Sequence, residues 1–385
     1  MPPEADPDPT PGELDPARLA ELPSNERLKR FKEYLREEEA RVREVHDSGG
    51  GGCEVASLRS GVVDHLMQSL FETALVNHSS ADSIALVANG GYGRALLNPG
   101  SDLDLLFLLP QPSHKLSKEL KAVVEGILYP LFDLGFKVGH ASRSIAECVK
   151  EARKDPVTRT SLFDDRLLSG DQGLFAKFKQ RFRQDCIDKD REKFFAERRA
   201  DIEARYRKFS STVFLQEPNL KESPGAMRDF HNLLWISDAL FQTRDLDELV
   251  GLKILTPNAR NELSEAFDFL HRVRNALHYH TGKATDILTL RFQGVIMETF
   301  NYRHRTKLRR IEAFMRDYYL RARDIHQHTA SVFEIAEIET DVLKPSRLRS
   351  WIPFTRKSEV QKFDGFTAED GRLSAENKTI FDEDS

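Results

Sequence analysis

A chain of 385 residues is long enough for two or three domains with a well-buried core. It is 39% hydrophobic and 31% charged, and no apolar run nears the roughly 18 to 20 residues of a membrane helix, which argues against a membrane protein. The formal charge of −5 argues against a polynucleotide partner, and the three scattered cysteines, Cys53, Cys148 and Cys186, against a disulfide framework or thiolate zinc site, so a cytoplasmic protein is expected.

Met1 to Pro11 is rich in proline and acid and has no apolar stretch of the kind a secretory signal needs. Residues 1–24 offer almost nothing to bury and read as disordered. Leu28, Phe31, Tyr34 and Leu35 recur at spacings of three and four, predicting a helix over Asn25 to His46. Ser48 to Gly52 breaks it. Without a following Gly-Lys-Ser/Thr this glycine run reads as a flexible connector, not a phosphate loop. The helical pattern resumes from Ser57 to Asn77, with Val62, Leu66, Leu70, Ala74 and Leu75 on one face.

The character changes at Asp82. Ile84 to Ala88 and Leu103 to Leu109 are apolar runs of strand length, the first ended by Asn89-Gly90-Gly91 and the second by Pro110. Gly93 to Ser101 between them is rich in turn residues. A helix is predicted over Lys115 to Phe132 and a third strand over Phe136 to His140. Beyond Lys189 strands nearly vanish, and helices are predicted over Glu192 to Lys208, Met227 to Phe241, Asn258 to His280 and Lys307 to Ile338. The last carries an apolar stripe of Leu308, Ile311, Met315, Tyr318, Ala322 and Ile325. The basic run Arg303, Arg305, Lys307, Arg309 and Arg310 reads as a solvated helix start. After Leu343 the pattern dissolves into a polar tail. The expected class is α+β: a small mixed sheet packed with a C-terminal helical bundle.

The chemistry is concentrated in Asn89-Gly90-Gly91-Tyr92-Gly93-Arg94 and Ser101-Asp102-Leu103-Asp104-Leu105. Strand residues two apart point the same way, so Asp102 and Asp104 project their carboxylates together. Two anions so close repel unless cations sit between them. Magnesium suits the pair, since it takes one or two carboxylates plus substrate phosphates. One ion would activate an attacking oxygen and a second would neutralise a leaving pyrophosphate. Gly90, Gly91 and Gly93 let backbone amides approach phosphate oxygens, and Arg94 and Ser101 stand beside them. A Gly-Gly turn alone is weak and an Asp-x-Asp pair alone is usually a solvated loop. Together, in this order and between two strand-like runs, they specify a nucleoside triphosphate site.

Gly-Gly, a spacer and Asp-x-Asp on a strand resemble the signature of the polymerase-β-type nucleotidyltransferase superfamily. Gly90-Gly-Tyr-Gly-Arg94 with Ser101-Asp-Leu-Asp-Leu105 is similar, more narrowly, to the bacterial PII signal-protein uridylyltransferase family. Val138-Gly-His-Ala-Ser-Arg143, Leu167-Leu-Ser-Gly-Asp171, Glu217-Pro-Asn-Leu-Lys-Glu-Ser-Pro-Gly-Ala-Met-Arg-Asp229 and Phe269-Leu-His-Arg-Val-Arg-Asn-Ala-Leu-His278 extend that resemblance. It implies helices at 25–80 packed on a nucleotidyltransferase domain at 81–186, a helical bundle at 187–342 and a polar tail or linker at 343–385. By it, Asp102 and Asp104 hold magnesium, Gly90 and Gly91 grip the triphosphate, and UMP passes from UTP to a tyrosine hydroxyl of a PII-type protein. It also implies that this is the N-terminal half of a longer architecture, without the phosphohydrolase (HD) and glutamine-sensing (ACT) domains, so de-uridylylation and glutamine sensing are expected to be absent. Asp164 aligns with an acidic family position and is a candidate third metal ligand, alongside a helix-surface reading. The sequence departs from the family at Ala95-Leu96, where Gly-Glu is usual, and at Gly225-Ala226-Met227, where Gly-Gly-Leu is.

Other residues carry weaker signals. His46-Asp47 ends a helix, where His complements the dipole, and lacks the partners of a metal-dependent hydrolase. His271, Arg274, Asn275 and His278 share a helix face that lines the cleft or packs between helices. Lys221, Arg228 and Asp229 flank a Ser-Pro-Gly turn, either as cleft residues or as a cap with a local ion pair. Trp235 reads as core. Residue types alone do not separate UTP from ATP, or a protein acceptor from a small molecule. A non-catalytic nucleotide-binding regulator is the alternative from another class.

Overall fold

The computed structural model describes residues 14–76, 78 and 83–342, and the backbone of 361–363, 366–369 and 372–375; from residue 340 onward only the backbone is described. The first helix, α1 (Pro16–Glu21), begins behind Asp15, whose carboxylate accepts from Ala17 N at 3.0 Å. It lies inside the segment read as disordered. Leu14 and Leu19 are buried against α3 (Gly52–Val76), and two apolar residues suffice to dock a short helix that its proline-rich surroundings conceal. Residues 1–13 of that segment lie outside the described residues. α2 (Ser24–Asp47) follows and packs on α3.

The glycine run between α2 and α3 is a packing device, not a flexible connector. A Cβ on Gly52 would sit 2.1 Å from Asp268 O and 2.1 Å from Arg272 N. Only glycine lets those two backbones approach so closely. Cys53 N then donates to Asp268 Oδ1 at 2.9 Å.

The sheet is built from β1 (Ala85–Ala88), β2 (Leu103–Leu109), β3 (Val138–Ser144) and β4 (Arg166–Gly170), in the spatial order β3-β2-β1-β4. β1 runs antiparallel to both β2 and β4, and β2 runs parallel to β3, so the sheet is mixed as expected. Between the strands lie α4 (Gly90–Gly93), α5 (Lys118–Asp133), α6 (Ile145–Lys154) and α7 (Pro156–Phe163), and α8 (Gln172–Phe182) follows β4. Leu103, Leu105, Phe107 and Leu109 of β2 face a core shared with α2, α3 and α5. Leu106 and Leu108, with Ala85 and Val87 of β1, face the opposite core. Asp104 has the parity of this second set and stands where its apolar packing ends.

The second core continues into the bundle without a break, through Phe178, Trp235, Leu270, Phe314 and Ala336. A π-helical turn at Arg183–Asp188 leads to α9 (Arg191–Lys208), then α10 (Met227–Phe241), α11 (Leu246–Gly251), α12 (Pro257–Thr281), α13 (Leu290–Ile296) and α14 (Lys307–Val342). No helix among the described residues is long and apolar enough to cross a membrane. Residues up to Ala336 form one compact unit. In the second unit the tail read as polar carries an antiparallel meander: β5 (Gln361–Phe363), β6 (Phe366–Glu369) and β7 (Arg372–Ala375). Its segments of three or four residues are too short to stand out from a polar average.

Candidate active site

The β1–β2 pairing brings the glycine turn to the dyad. Ala88 is opposite Leu105, and one residue further on Asn89 N donates to Asp104 O at 2.9 Å. The chain then enters α4. Gly90 has φ +53°, and a Cβ there would lie 3.2 Å from Asp104 Oδ2 and 3.3 Å from Ser161 Oγ. Glycine is required both by the backbone and by the space that Asp104 occupies. On the other side Gly139 of β3 is paired with Asp104, and a Cβ there would lie 2.7 Å from Asp104 Oδ1. Asp104 thus projects through a gap flanked by two glycines. Asp104 opens onto the cavity and is exposed. The partial desolvation it does suffer, and then repulsion from Asp102, push its pKa up, with Lys221 and Arg94 pulling the other way.

Asp102 and Asp104 line a single cavity of about 410 Å³, within the range of small-molecule sites. Gly90, Gly91, Arg94, Ser101, Asp164, Lys221, Arg228 and Arg274 line it too. Segments 90–104 and 221–274 therefore converge on one space. Among the described residues no group of three or more His, Cys, Asp or Glu is arranged to hold a metal. A cation at the dyad would take two carboxylates and complete its shell from phosphate and water, as magnesium does.

Three of the sequence candidates stand behind the cavity wall. Gly93 is packed so that a Cβ would lie 1.6 Å from Asp164 O. Asp229 is fully buried; its Oδ1 accepts from Arg205 Nη2 (2.6 Å) and its Oδ2 from Tyr206 Oη and Gly225 N (both 2.7 Å). It ties the Ser-Pro-Gly turn to α9. His278 is buried, and its Nδ1 bonds the carbonyl of Pro99.

Asp164 needs correcting. Its side chain is fully buried and already engaged at both oxygens. Oδ1 accepts from Trp235 Nε1 (2.8 Å) and Arg244 Nη1 (2.6 Å), and Oδ2 is paired with Arg94. Asp164 is an anchor for Arg94 and not an open metal ligand. Trp235 is core as expected, and it also lines the cavity, beside His231 and His271. Burial drives the pKa of both histidines well down, and neighbouring arginines add to it, which favours the neutral rings.

Sequence reasoning missed Asn98, which is fully buried. Its Oδ1 accepts from Arg274 Nη1 (2.6 Å), its Nδ2 donates to Asn275 Oδ1 (2.6 Å) and lies 3.1 Å from His271 Nδ1, and its carbonyl accepts from Arg59 (3.0 Å). Through Asn98 and Pro99 the helix α12 fixes the turn that leads into Ser101 and Asp102. Asp286, bonded to Arg274 Nε at 2.7 Å, was missed as well. An isolated Asn in a turn-rich stretch gives no sign of partners about 180 residues away, and an isolated Asp outside any helix gives none of an arginine 12 residues earlier.

A model of the GlnD PII-uridylyltransferase family matches residues 193–333, from α9 into α14. A bifunctional uridylyltransferase/uridylyl-removing enzyme of Caulobacter vibrioides is 34% identical over 350 residues, 89% of this chain and 37% of the relative. One from Phenylobacterium zucineum is 36% identical over 352 residues, with the same shares. Residues 193–333 thus match the PII-uridylyltransferase family model, and most of the chain is similar to enzymes named uridylyltransferases. The chain spans 37% of the length of these relatives. The region that matches the family model supplies Lys221, Arg228, His231, Trp235, His271 and Arg274 to the cavity, and lies outside the glycine turn and dyad.

The departure from the family pattern at Ala95 now has a physical meaning. Ala95 has φ +58°, the left-handed conformation glycine adopts freely. A Cβ there costs about 1 to 2 kcal/mol, partly offset by the extra chain entropy glycine brings to the unfolded state. Ala95→Gly is expected to stabilise the protein by about 1 kcal/mol, measured as a higher urea midpoint with unchanged slope.

Proposed function

We propose that this chain is a cytoplasmic, magnesium-dependent nucleotidyltransferase that moves UMP from UTP to a tyrosine hydroxyl of a PII-type signal protein, releasing pyrophosphate. The observation that carries the reading is the convergence of Asp102, Asp104 and the Gly90-Gly91 turn on one cavity ringed by Arg94, Lys221, Arg228 and Arg274. The uridylyl and protein-acceptor parts rest on what the relatives are called.

Asp102 and Asp104 would hold magnesium, which supplies charge neutralisation at the phosphates and a lower pKa for the attacking oxygen. The amides of Gly90 and Gly91, at the start of α4, have no carbonyl within their own helix and face the phosphates. Arg94, held by Asp164, adds a fixed positive charge. Arg274, braced between Asn98 and Asp286, does the same from the bundle side. Arg94 and Arg274 are held by the protein's own ion pairs and hydrogen bonds, so little reorganisation is needed as charge develops. The acceptor oxygen attacks the α-phosphorus from the open side of the cavity, where Asp102 and Asp104 are both exposed, and its proton is released to solvent there.

The test is incubation with magnesium, each α-labelled nucleoside triphosphate in turn, and a PII-type protein. Label transferred from UTP to a tyrosine is the expected result. Transfer from ATP, or to a small molecule only, would replace the uridylyl–protein assignment with another nucleotidyl transfer. Binding without transfer to any acceptor would favour a nucleotide-sensing regulator.

A further inference from the structure

Four cations line the cavity, and they are not equivalent. Arg94 is paired with Asp164, Arg228 with Glu222 at 3.1 Å, and Arg274 with Asp286 at 2.7 Å. Among the described residues the Lys221 ammonium has neither an ion pair nor a hydrogen bond. Its backbone, in contrast, is firmly held. Lys221 N donates to Asn219 Oδ1 (2.9 Å), Lys221 O accepts from Arg228 N (2.9 Å), and Leu220 N donates to Asp286 O (2.7 Å). A fixed loop thus presents a half-buried ammonium without a direct partner to the cavity.

We propose that Lys221 is a catalytic residue: it holds the pyrophosphate half of the nucleotide and is the charge the leaving group meets as its bond to the α-phosphorus breaks. The proposal rests on the nucleotidyltransferase reading above and assigns one role within it. Lys221, Arg228 and Arg274 lie close enough to repel one another. Such a cluster is accommodated where a ligand brings the most negative charge, and in a nucleoside triphosphate that is the β,γ end. The carboxylate pair belongs at the other end, with the α-phosphate. In the reaction the acceptor oxygen–phosphorus bond forms and the bond from the α-phosphorus to the β-bridging oxygen breaks. The electron pair leaves with pyrophosphate, the acceptor proton goes to water, and Lys221 keeps its own proton. Charge on pyrophosphate grows along this path, so the contact strengthens in the transition state and acts on kcat as well as on binding.

The cluster also predicts a proton signature. The groups around the ammonium are Arg228 and Arg274, which repel it, Asp286 and Glu222, which favour it, and Asp104 across the cavity. Burial first, then the two arginines, bring the Lys221 pKa below its usual 10.5. A bound polyanion raises it again. Between the two values binding takes up a proton; below the lower value the ammonium is already charged and no proton is taken up from this group.

The probes are inorganic pyrophosphate, UTP and UMP, each with magnesium, titrated into wild type and Lys221→Gln by calorimetry in two buffers of different ionisation heat. Pyrophosphate and UTP are expected to bind the variant about tenfold or more weakly, as loss of a charge-assisted contact requires, while UMP binds as before. Proton uptake at alkaline pH is expected in the wild type and not in the variant. In turnover kcat should fall about a hundredfold, and Lys221→Arg should recover part of both effects. The empty Lys221→Gln protein should melt no lower than wild type, because the ammonium makes no bond there. Unchanged pyrophosphate binding or unchanged proton uptake in Lys221→Gln overturns the proposal and leaves the nucleotidyltransferase reading standing. A wild type that binds neither UTP nor pyrophosphate overturns both.

Discussion

Asp104→Asn is expected to lower nucleotidyl transfer by roughly a thousandfold or more while leaving the empty protein at least as stable as wild type. The two outcomes have one cause. Asp104 projects between Gly90 and Gly139 with Asp102 close by, and partial desolvation of its cavity-facing, exposed carboxylate together with that neighbour raises its pKa. Because the folded protein then binds the proton more tightly than the unfolded chain, stability is highest below the ordinary carboxylate range. It falls as pH rises through the raised pKa, and stays reduced at neutral pH. An amide at position 104 cannot ionise, so it removes that loss along with the catalytic charge. Magnesium should supply the same relief to the wild type by sitting between the carboxylates. Melting curves with and without magnesium, at about pH 4 and pH 7.5, test both points. The wild type should gain stability from magnesium at the higher pH and little at the lower, and Asp104→Asn should gain little at either. A variant that unfolds more easily than wild type at neutral pH would show that Asp104 is a structural residue with a favourable partner, and the dyad assignment would fail.

Much of this site was legible in the sequence because its signals are local. The spacing of Asp102 and Asp104 and the glycines that stop the preceding strand are visible within sixteen residues. Asp102 lies one residue ahead of β2 and not on it, yet both acids line the cavity, and β1, β2 and α10 fall where their patterns place them. What stayed hidden depends on contacts between distant segments. Asn98 looks like an ordinary turn residue until α12 is laid beside it. Gly52 looks like slack until Asp268 and Arg272 occupy the space of its missing side chain. β4 has only Leu167 and Leu168 as apolar strand residues, and its identity as a strand comes from pairing with β1. For Asp164 the sequence leaves a metal ligand and a helix-surface acid open, and the buried, ion-paired side chain fits neither. Metal ligands and buried ion-pair anchors are the same residue type, and only the partners distinguish them.

That distinction makes a second measurement decisive. Asp164→Asn is expected to cost about 3 kcal/mol of stability, the lower end of the range for removing one member of a buried ion pair. The cost arises because Arg94 and Arg244 both lose the charge they face. Arg94 and Arg244 are only partly exposed, with side-chain accessibilities of 20% and 28%, so water compensates each incompletely; Arg244 keeps Asp238 at 2.7 Å as a second partner, which keeps the cost from being larger. The amide nitrogen of the variant would also face an arginine donor on one side. Arg94 and the Trp235 indole would then no longer be held at the cavity wall, so the KM for the triphosphate should rise about tenfold or more. The magnesium concentration that gives half-maximal activity should not change. A metal ligand would behave in the reverse way: magnesium dependence would shift by orders of magnitude, and the empty protein would be about as stable as before, since a ligand released from an empty site costs little. The pairing itself can be checked with Arg244→Gln, which removes one of the arginines Asp164 serves. If Asp164 acts as their shared anchor, the stability losses of Asp164→Asn and Arg244→Gln will sum to more than the loss in the double variant, because the second substitution then finds part of its interaction already gone. Strict additivity would mean that the two side chains do not support one another, and Arg94 would need another explanation for its position beside the glycine turn.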